Sequence, residues 1–224
     1  MSTLLSSHRS ANRAGGLIAL LVLIGALAIP GGPAWAQRVA GQATAAAVTT
    51  TAAGSQTFAG AMLPQGGGMD QSDVDNAIVD TTFGATGLTS ITTGQLDGAL
   101  VSVTTSAEAA DVNILNGLIV AKAVMALATS YANGTSAQSE SDGSTLLDLM
   151  IAGVSYADGV PASNTRVELP GVGYVVLNEQ ISSGDGVRST GLTVNMIHVY
   201  LVDPLTGAPG GEIVVAAATS TASL

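Results

Sequence analysis

Asp70, Asp73, Asp75 and Asp80 fall within eleven residues and form the densest run of candidate oxygen ligands in the chain. Calcium takes roughly six to eight oxygens, and closely spaced acids on a loop can supply several of them. The EF-hand pattern also needs a glycine after the third acidic position and a glutamate near its end, and neither is present. A solvated acidic loop is therefore the first reading of this segment, with a calcium site on the four aspartates as the alternative. His198 is the second candidate, because a nucleophilic triad needs a histidine at a cleft with a hydroxyl and a carboxylate in reach. Ile197 and Val199 flank it, so the expectation is a buried, hydrogen-bonded structural histidine. Lys122 raises a third possibility, an autocatalytic isopeptide bond to Asn178 assisted by Glu179, which needs all three buried and in contact.

Other chemistry finds little support. The only other histidine is His8, so a histidine-rich zinc site is excluded. No G-x-S-x-G elbow, H-E-x-x-H pair or phosphate loop is present. A glycosidase needs two acids roughly 5–10 Å apart across a sugar cleft, whereas the acids here are scattered. No catalytic residue and no organic cofactor are expected, and an extracellular hydrolase is the least favoured function.

The leader explains where such a chain works. Arg9 and Arg13 precede an apolar run of 13 residues, Leu17–Ile29. Pro30, Gly31, Gly32 and Pro33 follow, then Ala34-Trp35-Ala36. This is the basic, apolar and A-x-A layout of a secretory signal, and the run is shorter than the roughly 20 residues of a membrane-spanning helix. Residues 1–36 are read as a signal-peptide helix, cleaved after Ala36 on the general secretion route. Cleavage removes Trp35, the sole tryptophan.

Removing the leader leaves Arg38, Lys122, Arg166 and Arg188 against sixteen acidic residues. Nucleic acid needs clustered Lys and Arg to neutralise phosphates, so that partner is excluded. Docking to anionic lipid is disfavoured too. The membrane is met only through the signal peptide before cleavage. The chain has no cysteine, so an exported domain must be held by its core, without disulfides.

The elements that would position these residues read as strands. Residues 37–95 form low-complexity N-terminal strands, with one or two edge strands over residues 37–60, and the acidic loop. They belong to the same domain as a core β region over 96–224. Met62–Met69 reads as a loop, and strand-like stretches cover Leu88–Thr93 and Leu96–Thr105, parted by Gly94 and Gly98. The stretch Asp111–Ala132 mixes helix formers with Ile119, Val120 and Val124, and a long strand pair is favoured. Thr145, Leu147, Leu149 and Ile151 alternate onto one face. Val167–Leu177 reads as a hairpin about Pro170-Gly171, which disposes of a sortase-signal reading of Leu169-Pro170-Gly171-Val172-Gly173. Leu192–Val202 becomes apolar on both faces after Asn195, as a central strand would, and Glu212–Ala218 is the last strand. The fold class is mainly β, a sandwich-like domain after a signal-peptide helix.

The strings SAEAADVNILNGLIVAKAV, NTRVELPGVGYVVLNEQ, LTVNMIHVYLVDPLTG and GEIVVAAATS, within Leu96–Ser220, resemble the choice-of-anchor P family of bacterial secreted and surface proteins. The resemblance implies an extracellular β domain and transfers no catalytic residue. Family members are named for their C-terminal anchors. This chain ends Thr221-Ala222-Ser223-Leu224, so release or non-covalent retention is expected. The function expected is a secreted or cell-surface structural or adhesive protein, meeting a surface polymer, a matrix or its own copies.

Overall fold

The computed structural model describes residues 37–51 and 54–224. The signal-peptide helix expected over residues 1–36 lies outside the described residues. Val, Ile and Thr at alternating positions, with Gly and Pro punctuating them, dictate extended chain. Every long element described is a strand. In chain order these are β1 (Arg38–Thr50), β2 (Gly54–Met62), β3 (Gly68–Val79), β4 (Phe83–Asp97), β5 (Leu100–Ile114) and β6 (Ile119–Ala132). Four short strands follow: β7 (Ala137–Glu140), β8 (Thr145–Leu147), β9 (Met150–Ile151) and β10 (Val154–Ser155). The chain closes with β11 (Thr165–Leu169), β12 (Gly173–Gly184), β13 (Ser189–Val202) and β14 (Pro209–Ser223).

Two antiparallel sheets face one another. One runs β11-β12-β13-β14-β1-β2; the other runs β10-β9-β6-β5-β4-β3, with β7 and β8 also on β6. Across the core β14 lies over β5 and β6, and β1 over β4 and β5. The first and last strands pair, Arg38 opposite Ser223. Residues 37–95 thus contribute strands to both sheets. The interface is filled by short side chains such as Ala43, Ala46, Ala126, Ala128 and Ala218, all fully buried. Small residues let the sheets approach closely. A Cβ on Gly41 of β1 would overlap the hydroxyls of Thr92 and Thr105 in the opposite sheet.

A coordinated change of pleat crosses both sheets. In β13 the core takes Leu192, Val194 and Met196, then Ile197 and Val199. In β14 it takes Ile213 and Val215, then Ala216 and Ala218; in β1, Ala43 and Ala45, then Ala46 and Val48. The pairings align these switch points in one transverse row, Asn178–Met196–Ala216–Ala45–Ala59. Asn178, Ala216 and Ala59 have φ of 48°, 53° and 48°. A left-handed residue inside a strand acts as a bulge: it rotates the chain, so two successive residues face the core. The facing sheet switches likewise near Asp111 and Asp148, with φ of 46° and 50°.

Several expectations hold. Asp111–Ala132 forms the β5–β6 strand pair, Val167–Leu177 the β11–β12 hairpin, and β13 is central. Of the strands over residues 37–60, β2 is an edge, as expected, and β1 lies inside, between β14 and β2. Others are corrected. β4 runs unbroken through Gly94, whose missing side chain makes room for Leu63. Leu146, not Leu147, joins Leu149 and Ile151 in the core, because the left-handed Asp148 flips the chain between them. The acidic segment is not a loop: Asp70, Asp73 and Asp75 lie in β3, the edge strand of its sheet, and Asp80 follows it. Charges on an edge strand discourage pairing with another chain.

Candidate functional site

The densest polar chemistry lies on the outer face of the six-stranded sheet, across β12, β13 and β14. Antiparallel register places Glu179 opposite Asn195, Tyr174 opposite Tyr200 and Tyr200 opposite Glu212. The pleat switch at Met196–Ile197 leaves both Asn195 and His198 on the outer face. His198 sits between two carboxylates, Nδ1 2.7 Å from Glu179 Oε2 and Nε2 3.2 Å from Glu212 Oε2. Both ring nitrogens face a carboxylate oxygen, an arrangement that favours the imidazolium, in which each nitrogen donates.

Glu179 is the hub. It also accepts from Asn195 Nδ2 and from Tyr200 Oη, each at 2.7 Å. Burial pushes its carboxyl up, but the hydrogen bonds from His198, Asn195 and Tyr200 outweigh that and hold it down at about 2. Burial pulls His198 down, and its bonds to Glu179 and Glu212 overcome this and raise it. Burial and the Glu179 hydrogen bond raise the Tyr200 phenol. The Asn195 carbonyl oxygen is buried and has no partner among the described residues.

A cation–aromatic stack extends the cluster to the edge. Arg166 lies 3.6 Å over the Tyr174 ring, Tyr174 stacks on Tyr200 at 4.7 Å, and Tyr200 on His198 at 3.9 Å. Arg166 also meets Glu168 at 2.6 Å. The stacked rings cover one another's faces. The arrangement ties β11 to β14 across the sheet, with both His198 ring nitrogens engaged by carboxylates.

The residues singled out from sequence are dispersed. Asp70 accepts from the Met62 backbone N–H at 2.8 Å. Asp73 accepts from Thr89 and Gln71, each at 2.8 Å. Strand parity sends Asp70 to one side of β3 and Asp73 and Asp75 to the other, while Asp80 occupies the turn after β3 with φ of 47°. Among the described residues no three acidic or histidine side chains are gathered for a metal. Lys122 is exposed and pairs at 2.6 Å with Asp111, its neighbour across β5 and β6, whereas Asn178 lies in the other sheet and donates to Pro161. The isopeptide expectation is therefore corrected. With Asp148, this ion pair lines a shallow, open groove on the eight-stranded sheet.

Sequence reading found His198 buried and hydrogen-bonded, but missed Glu212, Tyr200, Tyr174 and Asn195. Their signal was register: about the hairpin turns these residues fall opposite one another. No protein-family model, curated protein or solved structure matches the chain.

Proposed function

We propose that this chain is a secreted or cell-surface structural β protein that works by self-association or by adhesion to a surface polymer, without catalysis. The observation that carries the reading is the closed polar cluster at His198. Its imidazolium, both carboxylates and the Tyr200 hydroxyl are spent on one another, tying strands together. The sequence supports the rest: a secretory leader, an acidic cysteine-free body and a resemblance to surface proteins of the choice-of-anchor P family. A long-stranded sandwich with a small-residue core gives rigid extended faces to an exported chain that lacks disulfides.

The test is association. Sedimentation of the chain against concentration, with pull-down by the producing cells and their isolated wall polymer, should show self-association or retention. A chain that stays monomeric and binds neither would remove the proposal.

A further inference from the structure

We infer that strand β2 is the surface through which two copies of this chain join, edge to edge, about a two-fold axis near Thr57. The inference deepens the self-associating role proposed above and rests on it. An edge strand exposes unpaired backbone donors and acceptors, a template for another strand, and soluble proteins guard such edges with charges, proline or very short strands. Three of the ends here are guarded. β3 carries Asp70, Asp73 and Asp75; β11 carries Arg166 and Glu168 before Pro170; β10 is only Val154–Ser155.

β2 is different. Its nine residues, Gly-Ser-Gln-Thr-Phe-Ala-Gly-Ala-Met, contain no charge and no proline. Among the described residues it hydrogen-bonds as a strand only to β1. Its far end is blunted, by the left-handed Ala59 and by Asp70 on the Met62 N–H. Gly54 at the near end is left-handed too, with φ of 72°, which leaves Ser55–Phe58 as the regular stretch.

Charge selects a second copy as the occupant. The chain carries a net charge of −10, so two copies repel wherever their charged surfaces meet. A neutral edge is where they can approach. Antiparallel pairing of β2 with itself is isologous and closed, and it extends the six-stranded sheet across the axis. A short stretch gives a weak contact, and many copies held on one surface strengthen it through local concentration.

The absence of cysteine permits a direct test with the full chain. Thr57→Cys should form a disulfide-linked dimer under mild oxidation, while Ser55→Cys, roughly 13 Å from its own copy across the axis, and Thr206→Cys, on the exposed β13–β14 turn, should not. Thr57→Asp sets like charges opposite each other and should weaken association by about tenfold in sedimentation. If the wild-type chain associates but Thr57→Asp leaves it unchanged, and Thr57→Cys crosslinks no more than Thr206→Cys, the β2 assignment falls and the structural role stands. If the wild-type chain is monomeric up to high concentration, the assignment falls, and the role then rests on adhesion alone.

Discussion

His198 and Glu179 meet 2.7 Å apart on the outer face of the six-stranded sheet, an imidazolium against a carboxylate whose second oxygen holds Tyr200. The two lie 19 residues apart in sequence and on adjacent strands. Removing one partner of a buried ion pair strands the other charge, which costs more than the pair contributes. His198→Ala should therefore destabilise the protein by about 3 kcal/mol in denaturant unfolding. A loss below about 0.5 kcal/mol, the level of an ordinary surface change, would contradict the cluster's role.

The same pair fixes a pH profile. The folded pKa of Glu179 is depressed, so its contribution is present above the ordinary value of 4.5 and is lost as pH falls toward about 2. The folded pKa of His198 is raised, so its contribution is complete below 6.5 and is lost as pH climbs through the higher folded value. Tm should form a plateau between these limits and decline on the alkaline side. With no cysteine in the chain, and with His8 outside the described residues, His198 is the one described side chain whose ordinary pKa lies near neutrality. Tm scans of His198→Gln should lose the alkaline decline; an unchanged decline would assign it elsewhere.

At the transverse row, Ala216 is fully buried with φ of 53°. Left-handed backbone costs an L-residue about 1–2 kcal/mol, and glycine avoids that at a smaller entropic cost. Ala216→Gly should lie within about 0.5 kcal/mol of wild type or above it. Ala216→Val, β-branched and larger in a filled site, should lose more than about 2 kcal/mol. Equal effects of the two would show that the row is not held left-handed.

Gly41 tests how closely the sheets approach. Its Cβ would meet Thr92 and Thr105, whose hydroxyls are 3.0 Å apart in the buried interface. Gly41→Ala should cost about 1–3 kcal/mol, the range for overpacking, and the loss should be partly relieved by adding Thr92→Ala, which removes the overlapped hydroxyl. Strict additivity of the two changes would separate the residues in space.

Calcium is a negative prediction. The four aspartates are divided between two sides of β3 and a turn, so millimolar calcium should leave Tm unchanged. A rise of several degrees would require a site that these side chains form only with the ion bound.

Much of this fold was readable in the sequence. Alternation located the β5–β6 pair and the central β13, and Pro170-Gly171 located a hairpin. Period-two reasoning failed where the pleat changes phase. Period-two counting puts Leu147 on one face with Leu149 and Ile151, because an unbroken strand carries every second residue to one side, and the left-handed Asp148 resets that count. The two-sided burial of β13 was legible in Met196-Ile197-His198-Val199, but not its cause. The outer face there is covered by Glu179, Tyr200 and Glu212, and Met196 and Ile197 both turn inward. The aspartates of β3 read as a loop because composition cannot tell a loop from a guarded edge strand. The site itself depended on register across β12, β13 and β14, which local sequence does not state.

Export is the premise on which the structural role rests, and the native chain tests it directly. Fractionating the producing culture into medium, wall, membrane and cytosol, with N-terminal sequencing of the product, should find a chain beginning at Gln37 outside the cytosol. A full-length chain with Met1 intact, confined to the cytosol, would contradict the account.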